Sequence, residues 1–133
     1  MDDPKAEVVR LWIKKADHDL QNIANNLSAI DIPTDTLCFH AQQAIEKIFK
    51  GLLVAHGMPI SKTHDLSKLL TDISQIAPEL LAYEDELEEI SEYSVSARYP
   101  DALYEPSLDE TRSAYETAKE IRALVLEKLT QYL

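Results

Sequence analysis

The sequence predicts an all-α protein, an up-and-down antiparallel bundle of four to five helices forming a single domain over residues 1–133. Three observations carry this. Apolar residues recur at spacings of three and four along nearly the whole chain, the period of a helix with one buried face. No stretch alternates apolar and polar residues as a half-buried strand would. A chain of 133 residues, 45% of them hydrophobic, can bury one core but is too short for two ordinary domains. Short links between the apolar stretches favour antiparallel neighbours.

The first helix carries Val9, Trp12, Ile13, Ala16, Leu20, Ile23 and Leu27 on one stripe. Asp3 is placed to cap it, and Pro4 suits its first turn, where a missing N–H is no loss. It should stop within residues 28–32, ahead of Pro33. The second helix runs from about residue 34 to 56, with Leu37, Ala41, Ala44, Ile45, Ile48, Leu52 and Ala55 inward. Ala41 and Ala44 are small enough for a neighbouring helix to come close. Gly57 is a natural C-terminal cap and Pro59 prevents continuation. A third helix is expected over 65–76, capped by Thr63, with Leu66, Leu69, Leu70, Ile73 and Ile76 inward. Pro78 opens a fourth, carrying Leu81, Leu87 and Ile90 and ending near Ala97, because Pro100 disfavours helix at Tyr99. Residues 98–106 hold two prolines and read as a bend. The last helix spans about 107–132 on Leu108, Tyr115, Ala118, Ile121, Val125 and Leu129.

Composition excludes several functions. With two glycines, Gly51 and Gly57, no glycine-rich phosphate-cradling loop is possible. Net charge is −11, unevenly distributed. Residues 79–110 hold 11 acids and one base, Arg98, a local net of −10, while the remainder is near balance with 13 acids and 12 bases. That third of the chain repels a phosphate backbone and suits a basic protein partner or plain solubility. Cys38 is the lone cysteine, so there is no internal disulfide and no CxxC-type zinc site. The lone thiol fits a reducing cytoplasm. The N-terminus lacks an apolar signal core. No run approaches the ~18 apolar residues of a membrane span.

Several residues invite a chemical reading. The bend offers Arg98 as a planar fork of donors for an anion, with Asp101 and Glu105 as competing local partners. Tyr99 and Tyr104 add aromatic faces for a base. Pro100 and Pro106 stiffen the segment, so its side chains have less freedom to lose on binding. His40, Gln43 and Lys47 share a helix face at i, i+3 and i+7 and form a candidate polar strip beside the bend. Gln42 and Glu46 make a second i, i+4 pair, expected to be solvated or at an interface. His64, with Lys62, sits at a helix start, where backbone N–H groups attract anions. Asp85, Glu89 and Glu92 share a face, expected to be a solvated acidic surface, and no metal site is assigned. Trp12 is expected in the core. Cys38 and His40 diverge on their helix and make no nucleophile–base pair.

At Phe39-His40-Ala41-Gln42-Gln43-Ala44-Ile45-Glu46-Lys47 the sequence resembles the HEPN family, the higher eukaryotes and prokaryotes nucleotide-binding domains. Leu52-Leu53-Val54-Ala55-His56-Gly57 is similar to the end of that family's second helix. Thr63-His64-Asp65-Leu66 is similar to its Thr-His-Asp-Leu turn, and Tyr93 with Ala97-Arg98-Tyr99-Pro100-Asp101 to its Arg-Tyr-Pro element. The resemblance spans roughly residues 14–126. It implies an all-α bundle, commonly a homodimer with a site near the subunit boundary. It also implies a separate minimal nucleotidyltransferase partner in a two-component, toxin–antitoxin-like system, with a nucleotide as possible ligand and no cofactor.

Other family members are ribonucleases whose Arg-x(4–6)-His motif is paired across a dimer and cleaves through the 2′-hydroxyl without metal. Here Arg98 is present, but no histidine follows within six residues. Tyr104 stands six residues on, and a phenol with a pKa near ~10 is a poor general base at neutral pH. The resemblance also implies that the transferase modifies a tyrosine beside the motif, which places Tyr104 in that role. Two alternatives stay open: a ribonuclease toxin with an altered motif, and a purely structural helical dimer.

Overall fold

The computed structural model of the chain describes residues 3–96 and 105–133. Helix α1 spans Pro4–Asn26, α2 Thr34–Ala55, α3 Leu66–Ile73, α4 Glu84–Ser91, α5 Tyr93–Ser96 and α6 Leu108–Lys128, with 3-10 helices at Pro78–Tyr83 and Thr130–Tyr132. No strand occurs among the described residues. None of their helices is long and apolar enough to cross a membrane.

The helix ends follow local chemistry. The Asp3 carboxylate accepts from the Lys5 N–H at 2.9 Å, and Pro4 occupies the first turn. Gly57 adopts φ +67°, its N–H donating to the Val54 carbonyl while the Met58 N–H reaches Leu53. This double return satisfies the open carbonyls of α2 and requires the left-handed conformation glycine tolerates. Ser107 and Glu110 form a capping box at the start of α6: the Ser107 hydroxyl accepts from the Glu110 N–H, and the Glu110 carboxylate accepts from the Ser107 N–H.

Long-range contacts give the topology. Asp19 meets Lys47, while Val9 and Trp12 lie against Gly51, so α1 and α2 are antiparallel. Asp17 pairs with Arg122, and Arg10 reaches the Tyr132 carbonyl, so α1 is antiparallel to α6 as well. Cys38 touches Thr111 and Ala55 touches Tyr132, so α2 and α6 run parallel. Glu79 pairs with Lys128, Tyr83 with Glu120 and Tyr93 with Glu110, so the stretch 78–96 returns antiparallel to α6. An up-and-down bundle results, with α2 at its centre.

That central place explains the burial of α2 beyond its sequence stripe. Cys38, Phe49 and Leu53 are sealed as fully as Ile45 and Ile48. A Cβ added to Gly51 would stand 3.3 Å from the Trp12 Cβ, so glycine is what lets α1 approach here.

Four expectations need correction. The fourth helix is not continuous: Pro78–Tyr83 is a 3-10 helix, and α4 and α5 are separate short helices. The tighter 3-10 turn puts Leu80 in the core and leaves Leu81 46% exposed. Helix α3 is capped by Asp65, whose carboxylate accepts from the Ser67 N–H at 2.9 Å, and ends at Ile73. Thr63 instead accepts from the Asp65 N–H, ordering the turn before the cap. Trp12 is half-buried rather than sealed in the core.

Candidate functional site

Three side chains of the charged residue types on the faces of α1 and α2 are almost withdrawn from water: Asp19, Glu46 and Lys50. A buried charge is tolerated when it is paired and hydrogen-bonded, so each should be surrounded by partners. Around Glu46, whose side chain is 6% exposed, three donors converge. The His64 Nδ1 lies 2.8 Å from Oε1, the Gln42 Nε2 3.2 Å from the same oxygen, and the Lys50 Nζ 3.0 Å from Oε2. The Lys50 ammonium also stands 5.8 Å from the centre of the Trp12 ring, a second favourable contact for a buried cation. Burial by itself would raise the Glu46 pKa. The hydrogen bonds from His64, Lys50 and Gln42, with the Lys50 charge, outweigh it and hold the carboxyl below its usual range.

Gln42 ties this cluster to the turn that precedes α3. Its Nε2 also donates to the His64 carbonyl at 2.9 Å, and its Oε1 accepts from the Gln43 Nε2 at 2.7 Å. The pair Gln42 and Glu46 is therefore an internal strut rather than a solvated or interfacial one, because the turn at 63–65 covers it.

A second cluster lies on the α1 side of α2. The buried Asp19 carboxylate receives the Lys47 Nζ at 2.6 Å and faces the His40 Nδ1 at 2.9 Å. His40 and Lys47 share a face as the spacing anticipates, whereas Gln43 turns to Gln42. Both histidines thus present Nδ1 to a carboxylate. An ionised carboxylate accepts hydrogen bonds, so Nδ1 carries the proton and the neutral ring keeps its lone pair on Nε2. The His64 side chain is half-exposed; that of His40 is more enclosed.

The end of α4 lies against the His64 turn, and the first turn of α6 against α2. The Ser91 hydroxyl accepts from the Leu66 N–H at 3.0 Å and lies 3.5 Å from the His64 carbonyl, fastening the end of α4 to the start of α3. On the far side, the first turn of α6 meets α2 where Cys38 donates to the Thr111 hydroxyl. Burial pushes the Cys38 thiol up; the Thr111 bond opposes it in part, and the nearby Glu110 and Asp35 charges add smaller upward pushes. The thiol is a structural donor and not an activated nucleophile.

Of the seven residues singled out in the sequence, His64 and Gln43 are joined through Gln42. His40 belongs to the separate Asp19 cluster. Arg98, Tyr99, Asp101 and Tyr104 lie outside the described residues. The sequence assigns no role to Asp19 or Lys50. The spacing Gln42, Glu46, Lys50 at i, i+4, i+8 was the available signal, but exposed and buried series of this kind look alike without the covering turn.

The family model for the HEPN domain matches residues 9–129. No curated protein and no solved structure matches the chain.

Proposed function

Because this chain belongs to the HEPN family, we propose that it is a homodimeric helical module that works with a separate minimal nucleotidyltransferase in a two-component, toxin–antitoxin-like pair and binds a nucleotide. The family match over nearly the whole chain carries this reading. In it, Arg98 holds phosphate oxygens, Tyr99 and Tyr104 face the base or receive the transferase's attention, and Asp101 sets the Arg98 fork. His64, Gln43 and His40 are its surroundings. The fastening of Ser91 to the His64 turn supports that arrangement, since it holds the end of α4 against His64. The setting is cytoplasmic.

The test is a nucleotide titration of the purified protein, repeated on the complex with its cognate transferase. The reading expects co-elution of the two proteins and nucleotide binding that weakens roughly tenfold or more on Arg98→Ala, the size of a lost charge-assisted contact. No complex and no Arg98-dependent binding would overturn it.

A further inference from the structure

Between α4–α5 and the first half of α6 lies a cleft of about 250 Å³ that no part of the reading above uses. Its floor is apolar, formed by Ile90 and Ala114, both buried. Its rim carries Glu86, Glu89 and Asp109, none of which forms an ion pair with a described residue. Thr117 lines the same cleft. It is 7% exposed, and its hydroxyl has no hydrogen-bond partner among the described residues. Nor is that oxygen sealed in protein, so it opens on the cleft. On a residue otherwise buried, that hydroxyl meets solvent at the cleft, where a ligand group can take the place of water.

We propose that this cleft receives an arginine side chain from a basic segment of a protein partner. The chemistry matches part by part. A long aliphatic stem covers an apolar floor while its charged head stays at the rim. A guanidinium brings five donors and no acceptor, and the cleft presents acceptors: three carboxylates and a hydroxyl that can turn its lone pair outward. The local net of −10 over residues 79–110 draws a basic segment in and rejects polyanions, and it makes a second copy of this same acidic face an unfavourable occupant. The cleft's test invokes neither dimerisation nor nucleotide binding, so it can fail or succeed without them.

The test is fluorescence anisotropy of a labelled arginine–glycine repeat peptide against the whole protein, at low and at physiological salt. Its counterpart has citrulline at every arginine, equal in shape but uncharged. Binding of the arginine peptide and not of the citrulline one is expected. Glu89→Gln and the isosteric Thr117→Val should each weaken binding several-fold to tenfold. Glu88→Gln, on the same acidic face but outside the cleft, should do no more than its share of the general field, under about twofold. Circular dichroism confirms that each variant is folded. Three results would overturn the proposal: no binding of the arginine peptide at low salt; equal losses for Glu88→Gln and Glu89→Gln with none for Thr117→Val, which would mean an unspecific acidic field; or full displacement by spermine at a concentration equal to the peptide's, which would mark a polyamine site.

Discussion

Glu46→Ala is the sharpest test of how the bundle is held together. The substitution removes a carboxylate that accepts from His64, Gln42 and Lys50, and leaves the Lys50 ammonium, 10% exposed, without its counter-charge. Removing one partner of a buried pair costs about 3–5 kcal/mol, because the remaining charge stays buried. The other two donors lose an acceptor as well, but water reaches half-exposed His64, so the upper end of that range bounds the total. Urea unfolding followed by circular dichroism should show the midpoint falling with the slope unchanged. Glu46→Leu combined with Lys50→Met removes both charges and should recover most of the loss, to within about 1–2 kcal/mol of wild type. The pH dependence has a definite sign. The folded pKa of Glu46 is depressed, so its stabilisation is complete above the ordinary glutamate value of 4.5 and is lost as pH falls through the lower folded value. The gap between wild type and Glu46→Gln should therefore be constant near neutrality and close under acid. A loss below about 1 kcal/mol for Glu46→Ala, or a gap that ignores acid, would refute the reasoning.

Other outcomes follow from the same structure. Gly57→Ala should destabilise by about 1–2 kcal/mol, since an alanine must adopt φ +67° although nothing lies within 4 Å of its methyl; a neutral result in the same urea assay would mean the helix end relaxes. Light scattering at micromolar concentration should give twice 15.1 kDa, and a clean monomer would remove the homodimer. Structured and unstructured RNA should survive incubation with the protein without added metal; cleavage abolished by Arg98→Ala would instead make the protein a ribonuclease.

The helices and most of the core were legible because helical periodicity is a local property. Val9, Ile13 and Ala16 on α1, and Ile121 and Val125 on α6, are buried where the spacing puts them. Gly57 and Asp3 cap as their chemistry demands. The pattern fails where tertiary packing decides. Leu80 replaces Leu81 in the core because a 3-10 turn shifts the phase after Pro78. Gln42 and Glu46 are buried where a non-helical turn from the far side of Gly57 returns to meet them, and nothing local in α2 encodes that return. The Asp19 cluster is hidden for the same reason: its members lie 21 and 28 residues apart.

In the proposed function this bundle serves a nucleotidyltransferase at the segment carrying Arg98 and Tyr104. The most direct measurement is peptide mapping by mass spectrometry after incubation with the cognate transferase, ATP and magnesium. The Tyr104 hydroxyl would attack the α-phosphorus, pyrophosphate would leave, and the tyrosine would gain a nucleotidyl group. That adduct is expected on Tyr104, abolished by Tyr104→Phe and reduced by Arg98→Ala. An active transferase that leaves Tyr104 unmodified would contradict it.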